Sequence, residues 1–211
     1  MLHASELLWF GLAALLLVLT PGPNMIYCVS RTLCQGREAG FYSLAGVLLG
    51  FVVHLSTAAL GLTAVLLAVP LAFDAIRMAG AAYLLWMAWQ AVKPGGVAPF
   101  EARLLPQDSP GKLFRMGFFT NVLNPKVAMF YLSFFPQFLH PDRGSVLLQS
   151  VQLGAVQIGV STVVNTGLVR GAAAITAVLS QSRGWLLAQR YVMGSVLAAL
   201  AARVALTTQN K

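Results

Sequence analysis

Two short tracts interrupt apolar runs of this chain with residues that a helix interior rejects: L-T-P-G-P-N-M at Leu19 to Met25 and V-L-N-P-K-V at Val122 to Val127. In the second, Asn124 is a favoured N-cap type and Pro125 a favoured first helical residue, so the pair predicts a helix restarting within an apolar segment. Thr20 with Pro21, or Gly22 with Pro23, can do the same in the first. A restarted helix aims backbone N–H groups and its positive dipole end at a cavity, where an anionic group such as a carboxylate can bind. The plainer alternative for either tract is a proline kink, which membrane helices tolerate. Two breaks at matching positions favour a binding site, as in the paired discontinuous helices of transporters. Pro21, Gly22, Pro23, Asn24, Asn124, Pro125 and Lys126 are therefore the first substrate-contact or translocation candidates.

Lys126 stands about twelve residues into its apolar run, where a lysine costs roughly 3 kcal/mol unless it is paired or wet. It is expected to face the protein interior. There it either neutralises a substrate carboxylate or caps backbone carbonyls freed by the break. His54 follows Gly46 and Gly50, whose small size lets another helix approach closely. An imidazole facing a cavity can take up and release protons near neutral pH; the alternative is a histidine simply hydrogen-bonded within the bundle. Asp74 is a second proton-coupling candidate, or else an interfacial charge at the start of a span. Asn121 and Asn165, like Asn24, either contact substrate or bridge helices. Trp86, Trp89 and Trp185 are expected to belong to the interfacial aromatic belt.

The elements that must position these groups are set by composition. Of 211 residues, 58% are hydrophobic and 9% charged, against about 25% charged in a soluble domain. Apolar runs lie at roughly 5–29, 40–67, 71–92, 114–138, 146–172 and 184–206. An open sheet cannot satisfy its backbone in lipid, so all six are expected to be helices. The first lacks a basic region before it and reads as a retained helix, not a cleaved signal. The Pro- and Gly-rich stretch from Lys93 to Lys112 reads as a flexible connector. The expectation is a single transmembrane domain over 1–211, with one three-helix unit at roughly 1–92, a connector at 93–113 and a second unit at roughly 114–211.

Sliding the chain by 104 residues places Pro21 on Pro125, Tyr27 on Tyr131, Glu38 on Asp142, Gly40 on Gly144 and Gly50 on Gly154. A three-span repeat inserts upside down relative to its copy, so the expected fold is an all-α membrane protein of six transmembrane helices as two inverted repeats. The net charge of +8 is spread in pairs between apolar runs, which argues against nucleic acid. Nine of the fourteen Lys and Arg residues (Arg31, Arg37, Lys93, Arg103, Lys112, Arg115, Arg170, Arg183 and Arg190) fall on one side of the spans. That side is expected to be cytoplasmic, with both termini outward in a bacterial inner membrane. Cys28, near the end of the first span, and Cys34, in the basic loop after it, are expected to be free thiols.

Metalloprotease, hydrolase and Walker motifs are absent from the sequence, as is any cluster of zinc ligands. No enzyme activity, cofactor or metal is expected, and transport energy would come from an ion gradient. The residues L-T-P-G-P-N at Leu19 and N-P-K-V-A-M-F-Y-L-S-F-F-P-Q-F at Asn124, together with G-F-F-T-N-V-L-N-P-K from Gly117, G-A-A-Y-L-L-W from Gly80 and a final helix around Gly194, resemble the LysE/RhtB family of amino-acid exporters. The resemblance runs nearly end to end. It implies export of amino acids or close derivatives from the cytoplasm by exchange with protons. Two departures stand out: Asn24 occupies a position where many relatives carry an acid, and the last helix, around Arg203, is poor in glycine. The expected partners are a small-molecule amino acid and the lipid bilayer, and pairing into a homodimer fits a transporter of this size. The competing readings are an exporter of another small solute, such as a drug or toxic cation, an intramembrane enzyme using Lys126 and His54, and a non-transporting scaffold.

Overall fold

A computed structural model describes residues 2–62 and 107–179, together with helical residues between 78 and 93 and between 191 and 206. Asp74, Arg77, Arg103, Arg183, Trp185 and Arg190 lie outside the described residues. The first apolar run is two helices, α1 (Ala4–Leu19) and α2 (Pro23–Gln35), bent by 54° at the first break. Helix α3 (Arg37–Thr57) continues into a π-helical turn at Ala58–Leu62. Helix α4 (Pro110–Val122) stops at the second break, and α5 (Pro125–Met129) restarts after it. A π-helical turn (Phe130–Phe134) and two 3-10 turns (Phe135–Phe138 and Pro141–Arg143) lead to α6 (Val146–Leu179).

Among the described residues no strand occurs. The segments Arg37–Gly61 and Val146–Ala172 are long and apolar enough to cross a membrane, and the bent α1–α2 pair qualifies as a third if it forms one span. Trp86 and Trp89 are both exposed. The chain is thus an all-helical, multi-pass membrane protein. The expected spans at 71–92 and 184–206 lie largely outside the described residues.

Two sequence expectations are corrected. Helix α4 opens at Pro110, so Pro110 to Lys112, the end of the stretch expected to be a flexible connector, are helical. Arg31 and Cys34 do not lie in a loop: α2 runs on through both, and Gly36 alone joins it to α3. Gly36 has φ +89°, a left-handed conformation that glycine adopts without steric cost, so a single residue reverses the chain. Neither Cys28 nor Cys34 is in a disulfide.

The tightest helix crossing is α3 against α4. A Cβ on Gly46 would collide with the carbonyl of Phe114, and one on Gly117 with that of Ser43. Without a hydrophobic driving force in lipid, such backbone proximity is what holds membrane helices together. This crossing presses α3, with His54, against the second break.

Candidate functional site

Each break frees carbonyls for a definite reason. A proline has no N–H, so the carbonyl four residues before it loses its helical donor. For Pro21 that carbonyl is Leu17; for Pro125 it is Asn121. Both are served by side chains from other helices. Lys126 donates from Nζ to the Leu17 carbonyl at 3.1 Å and to the Thr20 carbonyl at 2.7 Å. His54 Nε2 lies 3.1 Å from the Asn121 carbonyl, which also accepts from the Asn124 backbone N–H at 2.9 Å. The first break is therefore capped from the second, and the second from α3.

The restarts differ in detail. Helix α5 opens on Asn124, whose side chain accepts from the Lys126 backbone N–H at 3.0 Å, followed by Pro125. Helix α2 opens on Gly22 followed by Pro23, not on Thr20 and Pro21. Counted from the restarting proline, Asn24 and Lys126 occupy the same position. Both line one small cavity with Leu17, Met25, Phe51 and Asn165. Gly22 makes room for the ammonium: a Cβ there would stand 2.9 Å from Lys126 Nζ.

Lys126 is 6% exposed, so its charge is buried among these groups. An ammonium has three N–H donors, and two are used on carbonyls. Across the cavity Asn24 Oδ1 is buried without a hydrogen-bond partner. Asn165 is buried and donates from Nδ2 to the Ser161 carbonyl at 2.8 Å. The cavity volume is about 20 Å³, room for roughly one water. An amino acid does not fit in this conformation.

Other predicted residues fall outside that cavity. Pro21 lies in the extended linker between α1 and α2. The Asn121 side chain is fully buried without a partner. His54 stacks on Tyr131, ring centroids 5.7 Å apart, at the second break, and is not among the cavity's lining residues. Among the described residues no group of three or more His, Cys, Asp or Glu side chains could hold a metal.

The structure adds two clusters that sequence reading missed. At one end, Arg31 donates to Asp108 at 2.7 Å, Lys112 pairs with the same carboxylate, and Tyr27 donates to the Leu113 carbonyl at 2.8 Å. The Lys112 hydrogen bond and charge, with Arg31, hold the Asp108 carboxyl below the usual carboxylate range. At the other end, Glu6 pairs with His140 and Arg143, each at 2.9 Å, and Gln149 pins the His140 backbone by bonds of 2.8 and 2.9 Å. Between that end and the cavity, Phe10 is surrounded by Phe130, Phe135 and Phe138 at centroid distances of 5.2 to 5.8 Å. On α6, Gln157, Ser161 and Asn165 recur every four residues on one buried face, and Ser161 Oγ donates to Gln157 at 3.1 Å. That spacing was visible in the sequence; the cross-chain ion pairs, 77 and 137 residues apart, were not.

Comparison with known proteins places the chain among membrane transporters. The chain is 34% identical over 161 residues to the homoserine/homoserine lactone efflux protein of Salmonella typhimurium, covering 75% of this chain and 77% of that protein. It is 33% identical over the same length and coverage to the protein of that name from Salmonella typhi. An uncharacterised membrane protein of Pseudomonas aeruginosa is 30% identical over 139 residues, 63% of each chain. No solved structure matches. The family model for LysE type translocators matches residues 15–208. With so much of its length matched, the chain belongs to the LysE type translocator family, whose members are membrane transporters and not enzymes.

Proposed function

We propose that this protein exports small amino acids or their close derivatives, homoserine and its lactone among them, across the bacterial inner membrane in exchange for protons. The observation that carries this reading is the pairing in one cavity of a lysine with an uncommitted N–H and an asparagine oxygen without a partner. Homoserine presents an ammonium and a carboxylate; its lactone presents the ammonium and a carbonyl. The third Lys126 N–H can donate to either oxygen group, and Asn24 Oδ1 can accept from the ammonium. Pro21, Gly22, Pro23, Asn124 and Pro125 shape the two breaks, Asn165 forms the far wall and Asn121 anchors the second break.

In this reading the chain is one domain of two inverted three-helix halves, roughly 1–92 and 110–211, joined by a connector that ends where α4 begins at Pro110. The Arg31–Asp108–Lys112 end faces the cytoplasm, because most basic residues gather there, and both termini face outward. Ion pairs close both ends and the cavity holds about one water, as expected of an occluded state in alternating access. Rocking one half against the other would break the Glu6 and Asp108 clusters in turn. His54, at the second break, carries the proton; Asp74 is the other candidate.

Uptake of labelled homoserine into inverted membrane vesicles tests this. We expect uptake driven by an inward-acid gradient and abolished by a protonophore. Uptake equal to that of vesicles lacking the protein would refute the assignment.

A further inference from the structure

A second, larger cleft lies on the flank of α4. Its volume is about 550 Å³, and it is lined by Lys112, Arg115, Met116, Phe119, Thr120 and Leu123 together with Pro23 and Asn124. The five α4 residues and Leu123, which caps its C-terminus, fall at i, i+3, i+4, i+7, i+8 and i+11, a single helical face. At 1.5 Å per residue, this face runs about 16 Å from Lys112 to Leu123, from the end of the helix toward mid-membrane. Phe119 is 54% and Leu123 75% exposed on a helix of a membrane protein, so this face meets something apolar. The charges gather at its outer end. Lys112 and Arg31 share the Asp108 carboxylate, and Arg115 uses its Nε on the Gly111 carbonyl at 3.3 Å. Among the described residues, Arg31, Lys112 and Arg115 gather at this end, where Asp108 pairs with the first two.

We propose that this cleft binds an anionic phospholipid, its phosphate between Lys112 and Arg115 and one acyl chain along Met116, Phe119 and Leu123. A basic mouth above an apolar track matches the order of headgroup and tail, and basic pockets beside membrane helices are known acceptors for anionic headgroups. A second copy of the chain is a poorer occupant, because a twofold contact through this face sets Lys112 and Arg115 against their own images. The inner end of the cleft is Asn124, 1% exposed, which caps the restarted helix α5. A lipid seated here would therefore touch the second break directly. This inference does not depend on the cargo proposed above.

The test uses the full chain purified into vesicles of equal phosphatidylcholine and phosphatidylglycerol. Lipids retained after extraction are counted by native mass spectrometry. We expect retained phosphatidylglycerol to exceed phosphatidylcholine, and Arg115→Gln to lower that ratio about fivefold, the effect of one basic residue at a membrane surface. Arg170→Gln, which removes an exposed charge on α6, should leave the ratio unchanged. Equal retention of the two lipids by the unaltered protein, an unchanged ratio in Arg115→Gln, or an equal fall in both variants would overturn the proposal. So would protection of a cysteine placed at Thr120 by homoserine and not by phosphatidylglycerol, which would give the cleft to the cargo.

Discussion

Replacing Gly22 with alanine adds one methyl group at the point where the two breaks meet. The backbone there has φ −170° and ψ −179°, extended geometry open to any residue, so the substitution does not strain the chain. The new Cβ would stand 2.9 Å from Nζ and 3.1 Å from Cε of Lys126. Ordinary contact for such atoms is about 3.5 Å, so the lysine end must retreat by roughly half an ångström. Its bond to the Thr20 carbonyl is 2.7 Å long, and that displacement carries it to the edge of the hydrogen-bonding range, about 3.2 Å. A hydrogen bond to a charged group contributes about 1.5–3 kcal/mol. Gly22→Ala should therefore cost up to that amount, and efflux should fall by up to about a hundredfold, since each 1.4 kcal/mol is a factor of ten. In a Lys126→Met background the methyl has no ammonium to displace. A double-mutant cycle, read from thermal unfolding of purified protein, should give a coupling energy of up to about 1.5–3 kcal/mol. Additive effects, with coupling below about 0.5 kcal/mol, would refute the contact between Gly22 and the ammonium as the basis of the site.

Three further outcomes are expected. Gly46→Leu drives a side chain into the Phe114 carbonyl and should destabilise the α3–α4 crossing by about 1–3 kcal/mol or more, measured as a lower unfolding midpoint. Asp108 is held ionised by Lys112 and Arg31, so its folded value lies below its unfolded one. Its contribution is therefore present above about pH 4 and lost as pH falls through the folded value. Amide protection at the start of α4 should stay level from neutral pH to about pH 5 and drop below the carboxylate range, and Asp108→Asn should remove that acid transition. His54→Ala should abolish proton-driven homoserine exchange while leaving unlinked downhill efflux measurable; full proton-driven activity in the variant would exclude His54 as the carrier.

The breaks were legible in the sequence because proline, glycine and asparagine act locally: N-P-K fixes a cap, a first residue and a buried charge within three positions. The choice of Gly22 and Pro23 as the first restart was not legible. It depends on where Lys126 reaches across to the carbonyls, and that is tertiary. Lys126 and Gly46 were read correctly as interior-facing and close-packing, since the cost of charge in lipid and the absence of a Cβ are properties of single residues. For Lys126 the capping reading holds: its ammonium donates to the freed carbonyls of Leu17 and Thr20. His54 is hydrogen-bonded within the bundle, one of its two sequence readings, and its partner is the carbonyl orphaned by Pro125, which the rule of four residues before a proline could have supplied. The Asp108 and Glu6 clusters were illegible because an acid in a connector or first turn gives no sign of which distant base it will meet. Gln157 and Ser161, four and eight residues before Asn165, needed only helix-face counting.

The most direct measurement loads cells with dipeptides and quantifies every amino acid released by cells carrying the unaltered protein, Lys126→Met or an empty vector. Selective release of homoserine or a few small amino acids by the unaltered protein, lost in Lys126→Met at equal membrane abundance, is the predicted result. Undiminished release in Lys126→Met, or a release profile identical to empty vector, would contradict a cargo site built on Lys126 at the junction of the two breaks.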